Sequence, residues 1–201
     1  MKVDIDKRED KKKIKEDKLY KSAYELFTTK GVKNTAIDDI VKKAGIAKGT
    51  FYLYFKDKRD IINKLILLKS RNVLNEAIIK TKEANIDSFQ NECLYFVEYI
   101  INYFKKNTLM LNLIDKNFSW SVCKFEVNKT DKYENIKAAI KKFIDNMMVK
   151  GMEREEAEIT LFMVMELVGS VCYTSIINNE PTDIDTIKPV LYKKIIRMVN
   201  V

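Results

Sequence analysis

Histidine is missing altogether from the 201 residues. That removes the commonest metal ligand and the commonest general base. No paired-acid motif, phosphate loop or metal-ligand spacing stands in for it, so no enzyme, metal or cofactor is expected. Five glycines and two prolines leave little turn material for a β-rich fold. The three cysteines, Cys93, Cys123 and Cys172, are odd in number, far apart and without a CxxC spacing. They fit reduced thiols in a cytosolic protein rather than a disulfide framework or a zinc site. No run approaches ~18 uninterrupted apolar residues, so no membrane span is expected. The first eighteen residues are charged throughout, which is not the pattern of a signal peptide.

What is present is charge and helical periodicity. Apolar residues make up 46% of the chain, enough for a packed core. The formal charge is +8, and it is unevenly placed. Residues 1–60 hold 17 basic and 11 acidic side chains, against 20 and 18 in the rest. A lysine-rich composition alone would spread the excess evenly; its concentration points to a polyanionic partner for the N-terminal part.

The stretch Thr35 to Asp60, TAIDDIVKKAGIAKGTFYLYFKDKRD, organises that part. Ile37, Ile40, Val41 and Ala44 recur at i, i+3, i+4 and i+7, one apolar helix face. Thr35 before it and Asp38 three residues on read as a capping box with Asp for Glu. Gly45 supplies the left-handed stop and Ile46 plugs the core from the turn. Lys48 to Tyr54 reads as a second short helix, with Phe51 and Phe55 inward. Two short helices joined by a glycine-containing turn form a helix-turn-helix pattern. The outward face of the second carries Lys48, Gly49, Thr50, Tyr52 and Tyr54. These are a cation, a gap, a hydroxyl and two phenols, able to meet phosphates and base edges. Tyr52 and Tyr54 can instead belong partly to the core. A cation at Lys58 opposes the helix dipole and makes sense opposite a phosphate, unless Asp57 or Asp60 offsets it.

These residues resemble the DNA-binding segment of the tetracycline-repressor (TetR) family of transcriptional regulators. The matching elements are Thr35, Ile40, Ala44-Gly45-Ile46, Gly49-Thr50, Tyr52, Tyr54-Phe55 and Lys58, within Leu19 to Ile66 at most. Ala47 stands where many members have a capping Ser or Thr. Leu53 stands where members often carry a polar or aromatic residue, so no contact is carried over to it. The resemblance implies that Lys48, Gly49 and Thr50 enter the major groove. Tyr52 and Tyr54 would contact phosphates or thymine methyls, and Thr35 and Lys58 would clamp the flanking backbone.

Along the rest of the chain, Met1 to Lys13 reads as a frayed arm, solvated or touching phosphates through Lys11, Lys12 and Lys13. A first helix spans Lys15 to Lys30. A helix from Asp57 to about Lys80 joins the two parts without Gly or Pro. Further helices are expected over Ile86–Asn107, Leu109–Asp115, Tyr133–Lys150, Glu153–Asn178 and Asp185–Val199, the last with Pro189 in its first turn. Lys116 to Asp131 reads as loop, its aromatics either anchoring it or lining a cavity. The expected fold is all-α: an N-terminal three-helix DNA-binding domain, residues 1–60, joined by a long helix to a C-terminal helical bundle, 61–201, that binds ligand and dimerises.

For the ligand pocket the sequence points to Tyr99, Tyr103, Phe118, Trp120, Met147 and Phe162, aromatics and methionine suited to an adaptable apolar cavity. The last two helices are apolar over too wide a face for one neighbour. That suggests a homodimer interface at Val168, Cys172, Ile187, Leu191 and Ile195; the alternative is that both helices are central in a monomer core. The implied function is a ligand-responsive, homodimeric, cytoplasmic repressor of a palindromic operator on double-stranded DNA, with a small apolar effector and no membrane partner. A ligand-dependent activator of the same family and a helical protein–protein adaptor are the rival readings.

Overall fold

Apolar side chains at helical spacing run through almost the whole chain, and they fold accordingly. The computed structural model describes residues 2–114 and 133–200, and its regular structure is helical. In chain order the described helices are α1 Lys2–Thr29, α2 Ile37–Ala44, α3 Lys48–Phe51, α4 Lys58–Glu83, α5 Phe89–Lys106, α6 Thr108–Ile114, α7 Glu134–Val149, α8 Arg154–Ile177 and α9 Ile184–Val199. From α4 onward every described end falls within three residues of the end read from periodicity. The expected loop over residues 116–131 lies outside the described residues.

Three local expectations are corrected. α1 begins at Lys2, not near Lys15. Its first half is rich in Lys, a good helix former, and holds no Gly or Pro to stop it. α3 has four residues, then tightens into a turn: Leu53 N–H donates to the Thr50 carbonyl at 3.2 Å and Tyr54 N–H to that of Phe51 at 3.0 Å. Pro189 is the sixth residue of α9 rather than in its first turn, so its ring removes one interior helix bond.

The chain divides into two compact units, Met1–Leu68 and Lys69–Val201. The boundary therefore lies beyond the expected division at 60/61. The reason is burial: Ile61, Ile62, Leu65 and Ile66, in the first turns of α4, are all buried with the first unit.

The first unit is built on α1 against α2, and α2 against α3. Leu19, Ala23 and Phe27 of α1, Ile40 of α2, and Phe51 and Phe55 around α3 are its buried centre. The second unit is built around α8, which packs on α5, α6, α7 and α9. Ala157, Val164, Val168 and Cys172 of α8 meet Ile101, Met147, Leu191 and Ile195 in one core. Gly151 ends α7 at φ 103, and the Met152 N–H reaches back to the Met147 carbonyl at 3.2 Å. That left-handed stop is where a side chain would be strained.

By length and composition α8 can cross a bilayer, its most apolar window reaching a mean hydropathy of 1.7. Glu158 and Glu166 break the apolar run, which is why no span was expected from the sequence. One stripe of α8 is core, yet only 28% of that window is buried.

Candidate nucleic-acid interface

The short helix α3 cannot be stable by itself; a four-residue helix closes too few hydrogen bonds to offset its ordering. Its geometry is imposed from both ends. Upstream, Ala36 is the N-cap of α2, and its N–H donates to the Asp39 carboxylate at 3.0 Å. This corrects the expected capping box: the cap lies one residue later than Thr35, and only its Asp39 half exists, since alanine has no acceptor. α2 stops at Gly45, φ 66, with Gly45 N–H on the Lys42 carbonyl (3.3 Å) and Ile46 N–H on that of Val41 (3.0 Å). This paired closure turns the chain into α3. Ala47 opens α3 without a side-chain cap, as its residue type dictates.

Downstream, α3 is pinned by rings. Phe51 and Phe55 are 0% and 1% exposed, with centroids 5.3 Å apart. Tyr20 of α1 meets Phe55 edge-on at 5.2 Å. The Lys64 ammonium lies 5.2 Å from the Phe55 ring centre and donates to the Tyr54 carbonyl at 3.0 Å. Asp57 caps α4 by accepting from the Asp60 N–H at 2.8 Å. These contacts fix which side of α3 faces out.

On that outer side lie Lys48, Gly49 and Tyr52, all exposed, with Thr50 and Tyr54 half-buried. Burial, then the Glu16 carboxylate, pushes the Tyr54 phenol above its ordinary value. The Lys48 ammonium is 2.8 Å from the Asp38 carboxylate. That hydrogen bond, first, raises the lysine above its usual range and keeps it a cation. The pair is solvent-exposed, so phosphate can displace the aspartate at little cost. Gly49 is the informative residue. Its φ is not left-handed, and a Cβ built on it meets nothing within 4 Å. Glycine inside a helix costs roughly 1 kcal/mol relative to alanine. Among the described residues no contact near Gly49 accounts for that cost.

Thr35 and Lys58, expected to clamp DNA backbone, are corrected. Thr35 is 1% exposed, and its hydroxyl donates to the Gly31 carbonyl at 2.9 Å, with that of Leu26 at 3.3 Å. The Lys58 ammonium is half-buried and donates to the carbonyls of Val32 and Thr35, each at 3.0 Å. Both side chains point inward and hold the α1–α2 segment. Lys58→Met is therefore expected to lower stability by about 1–3 kcal/mol, the cost of stranding two part-buried carbonyls. Thermal denaturation checks it. A side chain whose work is on phosphate would instead lower the salt dependence of DNA binding and leave melting unchanged.

In the second unit the expected pocket and interface residues are also redistributed. Phe118 and Trp120 lie outside the described residues. Met147 is 0% exposed, part of the core rather than of a cavity wall. Tyr99 and Tyr103 are half-buried against that core; burial, then a hydrogen bond to Glu76, pushes the Tyr99 phenol up to about 12. Phe162 is 39% exposed on the outer face of α8. An open cavity of about 660 Å³ is lined by other residues, among them Met152, Glu156, Ile159, Met163 and Arg197. Of the expected interface, Val168, Cys172, Leu191 and Ile195 are buried inside the protomer and Ile187 packs against them. The four buried side chains cannot face a partner without disturbing this core, whereas Ile187 stays partly exposed. The large apolar residues that do face out on α8 and α9 are Ile159, Phe162, Met163 and Val190. Sequence reading assigned Phe162 to the pocket and named none of the others for the interface, because both stripes of α8 are apolar.

Comparison with known proteins accords with this construction. Residues 19–65 match the model of bacterial regulatory proteins, tetR family. The HTH-type transcriptional regulator YvdT of Bacillus subtilis is 43% identical over 68 residues, 34% of this chain and 33% of that protein. That match therefore spans about a third of the relative's length. IcaR of Staphylococcus aureus, a negative transcriptional regulator of the biofilm operon icaADBC, is 24% identical across 75% of this chain and 80% of its own. The crystal structure of the transcriptional regulator FadR from Bacillus subtilis, in complex with stearoyl-CoA, superposes with a TM-score of 0.61 at 16% identity, covering 89% of this chain and 96% of that one. By the built helix-turn-helix and by these matches, residues 19–65 form a DNA-binding segment of the tetR family of bacterial regulatory proteins.

Proposed function

We propose that the protein is a homodimeric transcriptional repressor that grips operator DNA through α3 and lets go when a small apolar effector occupies its second unit. The observation that carries the DNA half is Gly49. It is an unforced glycine on an exposed helix face beside Lys48, Thr50 and Tyr52, where a duplex backbone or base edge can come close. The excess of positive charge in the first sixty residues supports the same partner.

Dimerisation is supported by α8. Ile159 and Met163 are each 50% exposed and Val190 of α9 is 58% exposed. Gly169, also exposed on α8, has open space beyond it, so a second helix can approach there. An apolar helix left this open is a surface awaiting cover. Two-fold pairing places two recognition helices on half-sites roughly 34–36 Å apart, or a multiple. Repression is supported by IcaR, a negative regulator, and an effector with an apolar part by FadR, which is seen in complex with stearoyl-CoA, whose acyl chain is apolar.

The test is binding to the DNA flanking the protein's own gene, titrated over salt against a scrambled duplex. Specific binding that falls with salt is expected. Lys48→Ala should weaken it and reduce the salt slope by about 1. Asp38→Asn, which frees Lys48, should tighten it. Equal weak binding to both duplexes, unchanged by either substitution, would overturn the reading.

A further inference from the structure

Leu53 is 76% exposed, the most exposed of the large apolar side chains described in the first unit. It follows Phe51 by two residues and precedes Phe55 by two. The bonds Leu53 N–H to Thr50 and Phe55 N–H to Phe51, at 3.2 and 3.0 Å, keep the winding helical through this turn. At about 100° per residue it therefore points roughly opposite the two buried rings. Those rings fix the inward side, so Leu53 sits at the crest of the outward one. Gly49 lies one turn before it, and nothing fills the space where that residue's side chain would be. Thr50 and Tyr52 flank it.

A leucine has no donor or acceptor. Of the features that base pairs present in the major groove, only the C5-methyl of thymine is apolar. We propose that Leu53 is a specificity-determining residue that reads thymine methyls, with Gly49 leaving the room for the base edge to reach it. This rests on the DNA-binding reading above and deepens it by naming the base. It also moves methyl recognition away from Tyr52 and Tyr54, whose phenols remain available for phosphates.

The experiment uses the full-length protein and a duplex it has itself enriched from a random pool. Each thymine is replaced in turn by 2′-deoxyuridine, which lacks only the methyl. Wild type should lose about three- to tenfold in affinity at one or two positions per half-site. Leu53→Ala should bind the thymine duplex more weakly by a similar factor and no longer distinguish the two bases. Its thermal unfolding should match wild type, because the side chain is exposed. Leu53→Met, which keeps an apolar tip, should retain the discrimination. Wild type that binds thymine and uracil duplexes equally at every position overturns the inference and leaves DNA binding standing. So does Leu53→Ala that keeps the full thymine preference; the tyrosines are then the readers. Failure of wild type to enrich any duplex overturns the DNA-binding reading itself, and this inference with it.

Discussion

Phe51→Ala is expected to destabilise the first unit by about 3–5 kcal/mol and to abolish sequence-specific DNA binding. Phe51 is 0% exposed and lies between the rings of Tyr52 at 5.4 Å and Phe55 at 5.3 Å. Alanine leaves a hole that α1 and α2 cannot fill without moving. Dispersion and burial are lost together, and the cavity adds to the cost. The functional loss exceeds the stability loss for a geometric reason. α3 has only four residues and no side-chain cap, so its orientation depends on this ring contact. Denaturant titration of wild type and variant measures the energy, and the binding titration measures the consequence. A midpoint shift worth less than about 1 kcal/mol would show that the ring is not the anchor described. Leu53→Ala, three-quarters exposed, is the matched comparison and should fall within about 0.5 kcal/mol.

Ile159→Asp combined with Met163→Asp is expected to convert the protein to a monomer and to weaken operator binding by at least about 100-fold. The two residues lie four apart, on successive turns of the exposed stripe of α8. In a lone protomer the new carboxylates stay in water and cost little. In a pairing across this face they are buried without partners, at several kcal/mol each. A dimer holds two half-sites at once, so its loss removes the gain from joined binding. Sedimentation gives the mass, and melting of the helical signal separates pairing from folding. Val168→Asp is the contrasting change: it places a charge at a residue 6% exposed in the core and should unfold the unit outright. A double variant that remains dimeric at micromolar concentration would exclude this face as the interface.

Much of the fold was legible because periodicity near 3.6 is a local property. Ile37, Ile40 and Val41 reveal α2, and Gly45 its end, without reference to anything distant. α1 was the exception at its start, since a charged stretch without breakers reads equally as arm or helix. The surface of α3 was legible for the same local reason: once Phe51 and Phe55 face in, Lys48, Gly49 and Tyr52 face out. Thr35 and Lys58 were misread because their types fit phosphates as well as carbonyls. Only the fold shows that the Lys58 ammonium ends on Val32 and Thr35, more than twenty residues earlier. The interface was misread for a different reason. α8 carries two apolar stripes, and neither composition nor spacing says which one the protomer keeps for itself. The domain boundary slipped because nothing in the sequence around Leu68 changes character; burial does.

The open stripe of α8 has a consequence at the ribosome. On the pairing proposed above, each newly made protomer displays the open apolar stripe of the 24-residue α8 until a second copy arrives. Capture by chaperones, membranes or other nascent chains competes with pairing during that wait. Pairing is second order in protomer, whereas capture is first order. A scarce regulator therefore gains from synthesis of several copies on one message, where the local concentration is high. The amount of active protein in the cell then rises more steeply than the amount of its transcript.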